Sequence, residues 1–267
     1  MLLETLVRWL CRILLPNHTR GWLDYHAVWE DEADPPRLLW VHCHGMERWG
    51  LPNVEMVDVP EDLRGYAHGI MLEIVGYMKR EKPIGSDEHG GGLLVAGDQR
   101  GYHQFTARAA PPRAVPDHDG MLRIVDYEEP VKAGFPHRLM AMHLCAVADT
   151  MKRPSKQEPL YRRSVEISPG EPAQSLEDKP KEGGNPGNAL SWEGLGNCLC
   201  ELGRVEEGLR CVEEAVARFP SWAREFQKGI RKEVAAMPGA PEDPWFQFWL
   251  DLDIPAVYAA ARAPNLA

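Results

Sequence analysis

The sequence predicts an α+β fold in which a sheet domain precedes a short all-helical layer. Three observations carry that reading. In the first half, RLLWVHCH and VEMVDV read as runs of sheet strand, and one long helical stripe follows them. From Asn188 to Pro220 the apolar residues recur instead at helical spacing, with glycine and alanine set among them at fixed places. The chain of 267 residues, 44% hydrophobic and 26% charged, is long enough for one large or two ordinary domains with real cores.

Residues 1–17, opening LLETLVRWLCRILLP, predict an amphipathic helix too short and too charged to span a bilayer. Glu4, Arg8 and Arg12 fall on one narrow stripe, so the rest of that helix must be buried. Packing in the core or between domains is the first expectation; docking on a partner or contact of residues 2–15 with a membrane surface is the alternative. A secretory signal would place its basic residues before the apolar run, and no small-residue cleavage site follows.

An α+β domain is expected over residues 18–130. GWLDYHAVWED alternates like a half-buried strand, and RLLWVHCH reads as a central one. After the turn HGMERWGLPN comes the strand VEMVDV. Pro60 then opens a helix, with Glu61 and Asp62 favoured by the dipole in its first turn. Leu63, Tyr66, Ala67, Ile70, Ile74 and Met78 form the apolar stripe of that helix. GGLLVAG, YHQFTAR and MLRIVDY read as three further strands.

Helices are expected from 136 to 236. In NALSWEGLGNCLCELGRVEEGLRCVEEAVARFP, Trp192, Leu195, Gly196 and Leu199 are followed by Gly208, Val212, Ala215 and Pro220. Two helices approach closely only where small side chains meet, here Gly196, Gly208 and Ala215, while the bulky residues fill the space beside them. This order of large, small and proline resembles the tetratricopeptide repeat. Upstream, Tyr161, Ser164, Ile167 and Pro169 repeat the end of the pattern, and Ala141, Leu144, Cys145 and Ala148 occupy first-helix positions without the tryptophan and glycine. Residues 171–187, rich in Pro, Gly and charge, are read as an insertion looping out between repeats. Ser221 to Ala235 would be the closing helix, and the aromatic tail 237–267 would fold back over the helical layer or the domain junction.

The stretch WVHCHGMERWGLPNVEM is similar to an uncharacterised bacterial domain of unknown function. The similarity covers residues 38–80 and implies no functional residue. His42 and His44, two apart on a strand, face one side as two metal ligands would, with Glu47 and Glu55 near in sequence. The strand supplies no third ligand at a defined spacing, so bonded core histidines are expected, with no metal and no cofactor. The glycines of SDEHGGGLLVAGDQRG lack the lysine and the register of a phosphate loop and read as a hairpin turn. Neither G-x-S-x-G nor H-E-x-x-H occurs.

Resemblance to tetratricopeptide proteins implies a peptide-binding stripe on the first helix of the repeat. Glu193, Asn197 and Glu201 stand there at spacings of four. Asn197 follows the Leu-Gly pair where peptide-binding members carry an asparagine. Glu193 stands where the carboxylate-clamping members carry a lysine, and Ala146 lies opposite Asn197 in the upstream repeat, so that clamp is not implied.

A net charge of -10 and a pI of about 5.5, with no cluster of Lys and Arg interleaved with aromatics into a phosphate-tracking stripe, argue against a nucleic-acid partner. The acidity suits a basic protein or peptide. Six cysteines form no CxxC pair and read as buried thiols in a reducing, cytoplasmic setting. The expected function is therefore non-enzymatic protein interaction. An enzyme using His42 and His44, or an acidic immunity-type protein neutralising a toxin or effector, are the alternatives.

Overall fold

A computed structural model describes residues 24–29, 38–80, 84–85, 89–93, 103–112, 120–126, 134–177, 188–236 and 244–263. The expected helix over 1–17 lies outside the described residues; of the stretch read as a glycine-rich hairpin turn, Gly90, Gly91 and Gly92 lie instead in a strand, His89–Leu93, and residues 94–102 lie outside the described part. The chain divides into two compact units, Met1–Leu93 with Gln104–Pro136, and Leu94–His103 with His137–Ala267. The class is α+β, with the sheet in the first unit and a helical second unit.

In the first unit β1 (Asp24–Trp29), β2 (Leu38–His44), β3 (Val54–Pro60), β4 (His89–Leu93), β5 (His103–Ala109) and β6 (Leu122–Asp126) form one sheet in the order β1-β2-β3-β6-β5-β4. The β1–β2, β2–β3 and β5–β6 pairs are antiparallel, and β3 runs parallel to β6. Alternation along β2 and β3 sends Leu39, Val41, Cys43, Val54 and Met56 to one face and Trp40, His42, His44 and Glu55 to the other. Helix α1 (Arg64–Arg80) packs along β2 and β3 and, with Leu63 just before it, buries Ala67, Ile70, Met71, Ile74, Val75 and Met78, the stripe that complements the apolar face.

Pro60 ends β3 instead of opening the helix. Its ψ of 140° continues the extended chain, and a 3-10 turn, Glu61–Leu63, makes the transition before Arg64. One residue too many sits in β3, because Leu39 pairs with Val59 but Val41 with Met56. Asp58 absorbs the bulge with a left-handed backbone, φ 55°, which a short polar side chain tolerates.

The turn HGMERWGLPN is built on two left-handed glycines, Gly45 (φ 101°) and Gly50 (φ 67°), framing a short helix, Met46–Trp49. Glu47 Oε2 accepts the Gly45 N–H at 3.0 Å, and Asn53 Oδ1 accepts the Met46 N–H at 3.0 Å. Partial burial opposes ionisation of Glu47, but its own backbone N–H, the Asn53 amide, the Gly45 N–H and Arg48 together hold its carboxyl below the ordinary value.

In the second unit the described residues between 137 and 236 form five helices: α2 (His137–Asp149), α3 (Pro154–Ile167), α4 (Ala189–Glu201), α5 (Val205–Arg218) and α6 (Pro220–Ala236). Short turns at 150–153 and 202–204 reverse the chain, the second through left-handed Gly203 (φ 81°). Helices α4 and α5 meet at two glycines. A Cβ on Gly208 would lie 2.7 Å from the Gly196 carbonyl oxygen, and one on Gly196 would lie 2.7 Å from Val212 Cγ2. Gly194 does the same for α3: the Tyr161 ring occupies the place of its missing side chain, 2.5 Å from an ideal Cβ. Leu195, Leu199, Cys145, Ala148 and Val165 complete that core.

Buried polar groups fix the register of α2, α3 and α4. Asn188, left-handed at the start of α4, donates to the Ser168 carbonyl at 2.9 Å, and the Ser191 hydroxyl donates to Asn188 Oδ1 at 2.7 Å. The Ser164 hydroxyl donates to the Ala141 carbonyl at 2.9 Å. At the surface Glu158, Arg162, Glu207 and Arg204 close a ring of alternating charge: Glu158–Arg162 is 2.8 Å, Arg162–Glu207 3.1 Å and Arg204–Glu158 3.2 Å.

The expected insertion is held more closely than a loop. Residues 171–177 form neither helix nor strand, yet the Ala173 N–H donates to the Ala217 carbonyl at 3.0 Å and Arg224 pairs with Glu177. Just before it, the Pro169 carbonyl accepts from Trp192 Nε1 at 2.9 Å and Arg218 Nε at 2.7 Å. Residues 178–187 lie outside the described part.

The tail forms α7 (Pro244–Asp251) and α8 (Ile254–Arg262), both packed on α5 and α6. Trp249 is 0% exposed and meets Trp222, Phe226, Trp245 and Phe248 edge to face, the arrangement aromatic quadrupoles favour. Gln227 Nε2 satisfies carbonyls at and just beyond the end of α7, donating to Trp249 O and Leu252 O at 2.8 Å each. The aromatic tail is thus the cap of the helical layer. Among the described residues no helix is long and apolar enough to cross a membrane.

Candidate functional site

Ionisable side chains meet on the polar face of the sheet. Register sets them in a row: His42 of β2 lies opposite Glu55 of β3, Glu55 opposite Arg123 of β6, and Arg123 opposite Arg108 of β5. Glu55 is 0% exposed, His42 2% and the Arg123 side chain 12%. Such burial costs several kcal/mol per ion unless good hydrogen bonds offset it.

Both Glu55 oxygens have them. Arg123 Nε donates to Oε1 at 2.7 Å, and Trp40 Nε1 donates to Oε2 at 2.8 Å. Both oxygens of Glu55 are therefore engaged within the sheet. Beside it the His42 ring stacks on the Trp40 indole, centroids 3.8 Å apart and planes 24° apart. His42 and His44 meet edge-on with centroids 4.9 Å apart.

His42 and His44 share a face, as their spacing requires. Glu55 is their neighbour but is engaged by Trp40 and Arg123, and Glu47 is engaged in the turn through Gly45. Among the described side chains no three His, Cys, Asp or Glu are placed to hold a metal ion. Sequence reasoning missed Trp40 and Arg123. Arg123 stands 68 residues from Glu55, and only strand pairing brings the two together.

The stripe on α4 needs correction. Glu193 is 9% exposed and Asn197 is half-buried, so of the three expected residues Glu201 alone is exposed. Asn197 Nδ2 donates to Glu193 Oε1 at 2.8 Å, and its Oδ1 accepts from Trp245 Nε1 at 2.9 Å. Helical spacing placed these residues on one side of α4; it could not tell that the tail returns across that side.

Burial raises the thiols of Cys43 and Cys198. Burial, opposed by a hydrogen bond from the Val54 N–H, pushes Cys43 up to about 11, and burial aided by Glu201 pushes Cys198 up to about 12. Both stay protonated at neutral pH, the wrong state for a nucleophile or a metal ligand. All five described cysteines are free.

No family model, no curated protein and no solved structure matches this chain.

Proposed function

We propose that the chain is a non-enzymatic protein-binding adaptor with tetratricopeptide-like hairpins, working in the cytoplasm on a basic protein or peptide. The observation that supports this most is the glycine contact between α4 and α5, Gly196 against Gly208, preceded by a second helical hairpin of similar length. Hairpins packed this closely are the unit of helical-repeat layers, whose extended surfaces take protein ligands. The charge of -10 selects a basic ligand, and free buried cysteines suit a reducing compartment.

On α4 the open part of the ligand surface is Glu201. Glu193 and Asn197 join it only where Trp245 gives up its bond to Asn197. Affinity capture with the full chain, repeated with Glu201→Lys and with Glu193→Lys, tests the reading. A stoichiometric basic partner, weakened by either reversal and by added salt, is the expected result. A partner set indifferent to both reversals in folded protein removes this surface, and turnover of a small molecule replaces the adaptor reading with the enzyme one.

The second reading is an acid/base enzyme on the sheet, favoured by the burial of His42 beside Glu55. Commitment of both Glu55 oxygens weighs against it.

A further inference from the structure

A relay of hydrogen bonds runs from the tail into α4. Trp245 Nε1 donates to Asn197 Oδ1 at 2.9 Å, and Asn197 Nδ2 donates onward to Glu193 Oε1 at 2.8 Å. The amide and the carboxylate are neighbours one turn apart on α4, whereas the indole arrives from the first turn of α7, 48 residues further on. What α4 offers at this point is an acceptor beside an anion, and what the tail supplies is an N–H. An indole has one donor and no charge; a lysine ammonium has three donors and a full positive charge. Hydrogen bonds from a charged donor are about twice as strong as neutral ones, so the ammonium is the better partner for this pair of acceptors.

We propose that Trp245 is a built-in occupant of the α4 stripe, standing in for a ligand's cationic donor, and that a lysine-bearing peptide binds by displacing it. The proposal rests on the adaptor reading and names how the surface of that reading opens and what opens it.

The tail is built to release this residue without coming apart. Its anchor is Trp249, 0% exposed at the centre of the aromatic cap, and Gln227 holds the Trp249 carbonyl at 2.8 Å. Trp245 lies one turn nearer the start of α7 and is only partly buried, touching Phe226 and Trp249 by ring edges with centroids 5.9 and 6.1 Å away. Its ring can turn outward while Trp249 keeps the helix in place. A neutral hydrogen bond contributes a net factor of about 3 to 10 to an equilibrium, enough to keep the stripe closed against weak ligands and too little to resist a charged one.

The full chain, labelled with nitrogen-15 at its nine tryptophans, is titrated with decalysine and followed by the indole N–H resonances. The Trp245 resonance is identified as the one lost in Trp245→Phe, a variant that keeps an aromatic ring and removes the donor. Decalysine should move that resonance to the position of an indole bonded to water, and decaglutamate should leave it in place. Trp245→Phe should bind decalysine about 3- to 10-fold more tightly than the unaltered chain, since nothing need be displaced from Asn197. Glu193→Gln, which removes the anion, should bind it about 10-fold more weakly. Binding of decalysine with the Trp245 resonance unmoved, or affinity in folded Trp245→Phe equal to or below that of the unaltered chain, overturns the latch while leaving a basic ligand in place elsewhere. Absence of binding to both proteins overturns the latch and the basic-ligand reading together. The resonance of the unaltered chain decides even where a variant fails to fold.

Discussion

The sheet and the helical layer both bury polar groups, but they assemble them by different rules. In the layer, α2, α3 and α4 are tied by Ser164, Ser191 and Asn188, residues within one or two helices of each other in sequence. In the sheet, Glu55 is tied by Trp40 and by Arg123, the latter 68 residues away. Spacing along a helix decides what it touches; along a strand it decides only the face, and pairing decides the neighbour. The helical layer is accordingly the more local structure and the sheet face the more conditional one.

Four experiments break or sharpen that contrast. The largest effect is expected from Trp249→Ala, which empties the centre of the aromatic cap and should cost about 3–5 kcal/mol in urea denaturation. A cost below about 1 kcal/mol would make the tail an appendage and not part of the layer's core.

Arg123→Met should cost about 3 kcal/mol, because Glu55 stays buried while losing the Arg123 guanidinium. The double variant Glu55→Leu with Arg123→Met should recover most of the loss, since apolar pairs of similar volume replace buried ion pairs well. No recovery would mean that the row does more than neutralise itself.

Gly208→Ala comes next, with a net loss of about 2 kcal/mol: better helix propensity, outweighed by a Cβ 2.6 Å from Cys200 Sγ and 2.7 Å from the Gly196 carbonyl. Gly229→Ala on α6, where nothing lies within 4 Å of the added carbon, should instead stabilise by about 0.5–1 kcal/mol. Equal thermal shifts for the two would dissolve the close-contact argument.

The smallest effect belongs to the charge ring. Hydrogen bonds from Arg162 and Arg204 hold the Glu207 carboxyl below its ordinary value. A depressed carboxylate stabilises the fold above its unfolded value, and that contribution is lost as pH falls through the lowered one. Glu207→Gln should flatten this acid-side decline slightly, and about 1 M salt should mask the difference. A larger loss than that of Gly208→Ala would show that surface charge governs the pairing of the hairpins.

The helical contacts were legible for the reason the contrast gives. Gly196, Gly208 and Val212 stand at a spacing that names their meeting, and the structure has them in contact. Gly194 went unread, because its partner Tyr161 belongs to another helix and nothing in either segment announces the fit. On α4 the periodicity of Glu193, Asn197 and Glu201 was correct and their exposure was not, since Trp245 arrives from 48 residues on. In the sheet, strands were visible from their alternation, but not that Asp24 and His26 stand against His44 and His42. Register is a property of two segments, and a single run of residues does not contain it.

The parallel seam between β3 and β6 has a consequence in time. Glu55 and Arg123 can pair only after the chain between them, α1 included, has closed a long loop, an entropic cost met before any contact rewards it. The hairpins of the second unit close across turns of a few residues and collect their contacts early. During synthesis the sheet's residues emerge first, yet its central seam is the slow step, so β3 spends that interval with an open flank. The bulge at Asp58 interrupts that strand, and a twisted, interrupted edge is a poor template for a neighbouring chain.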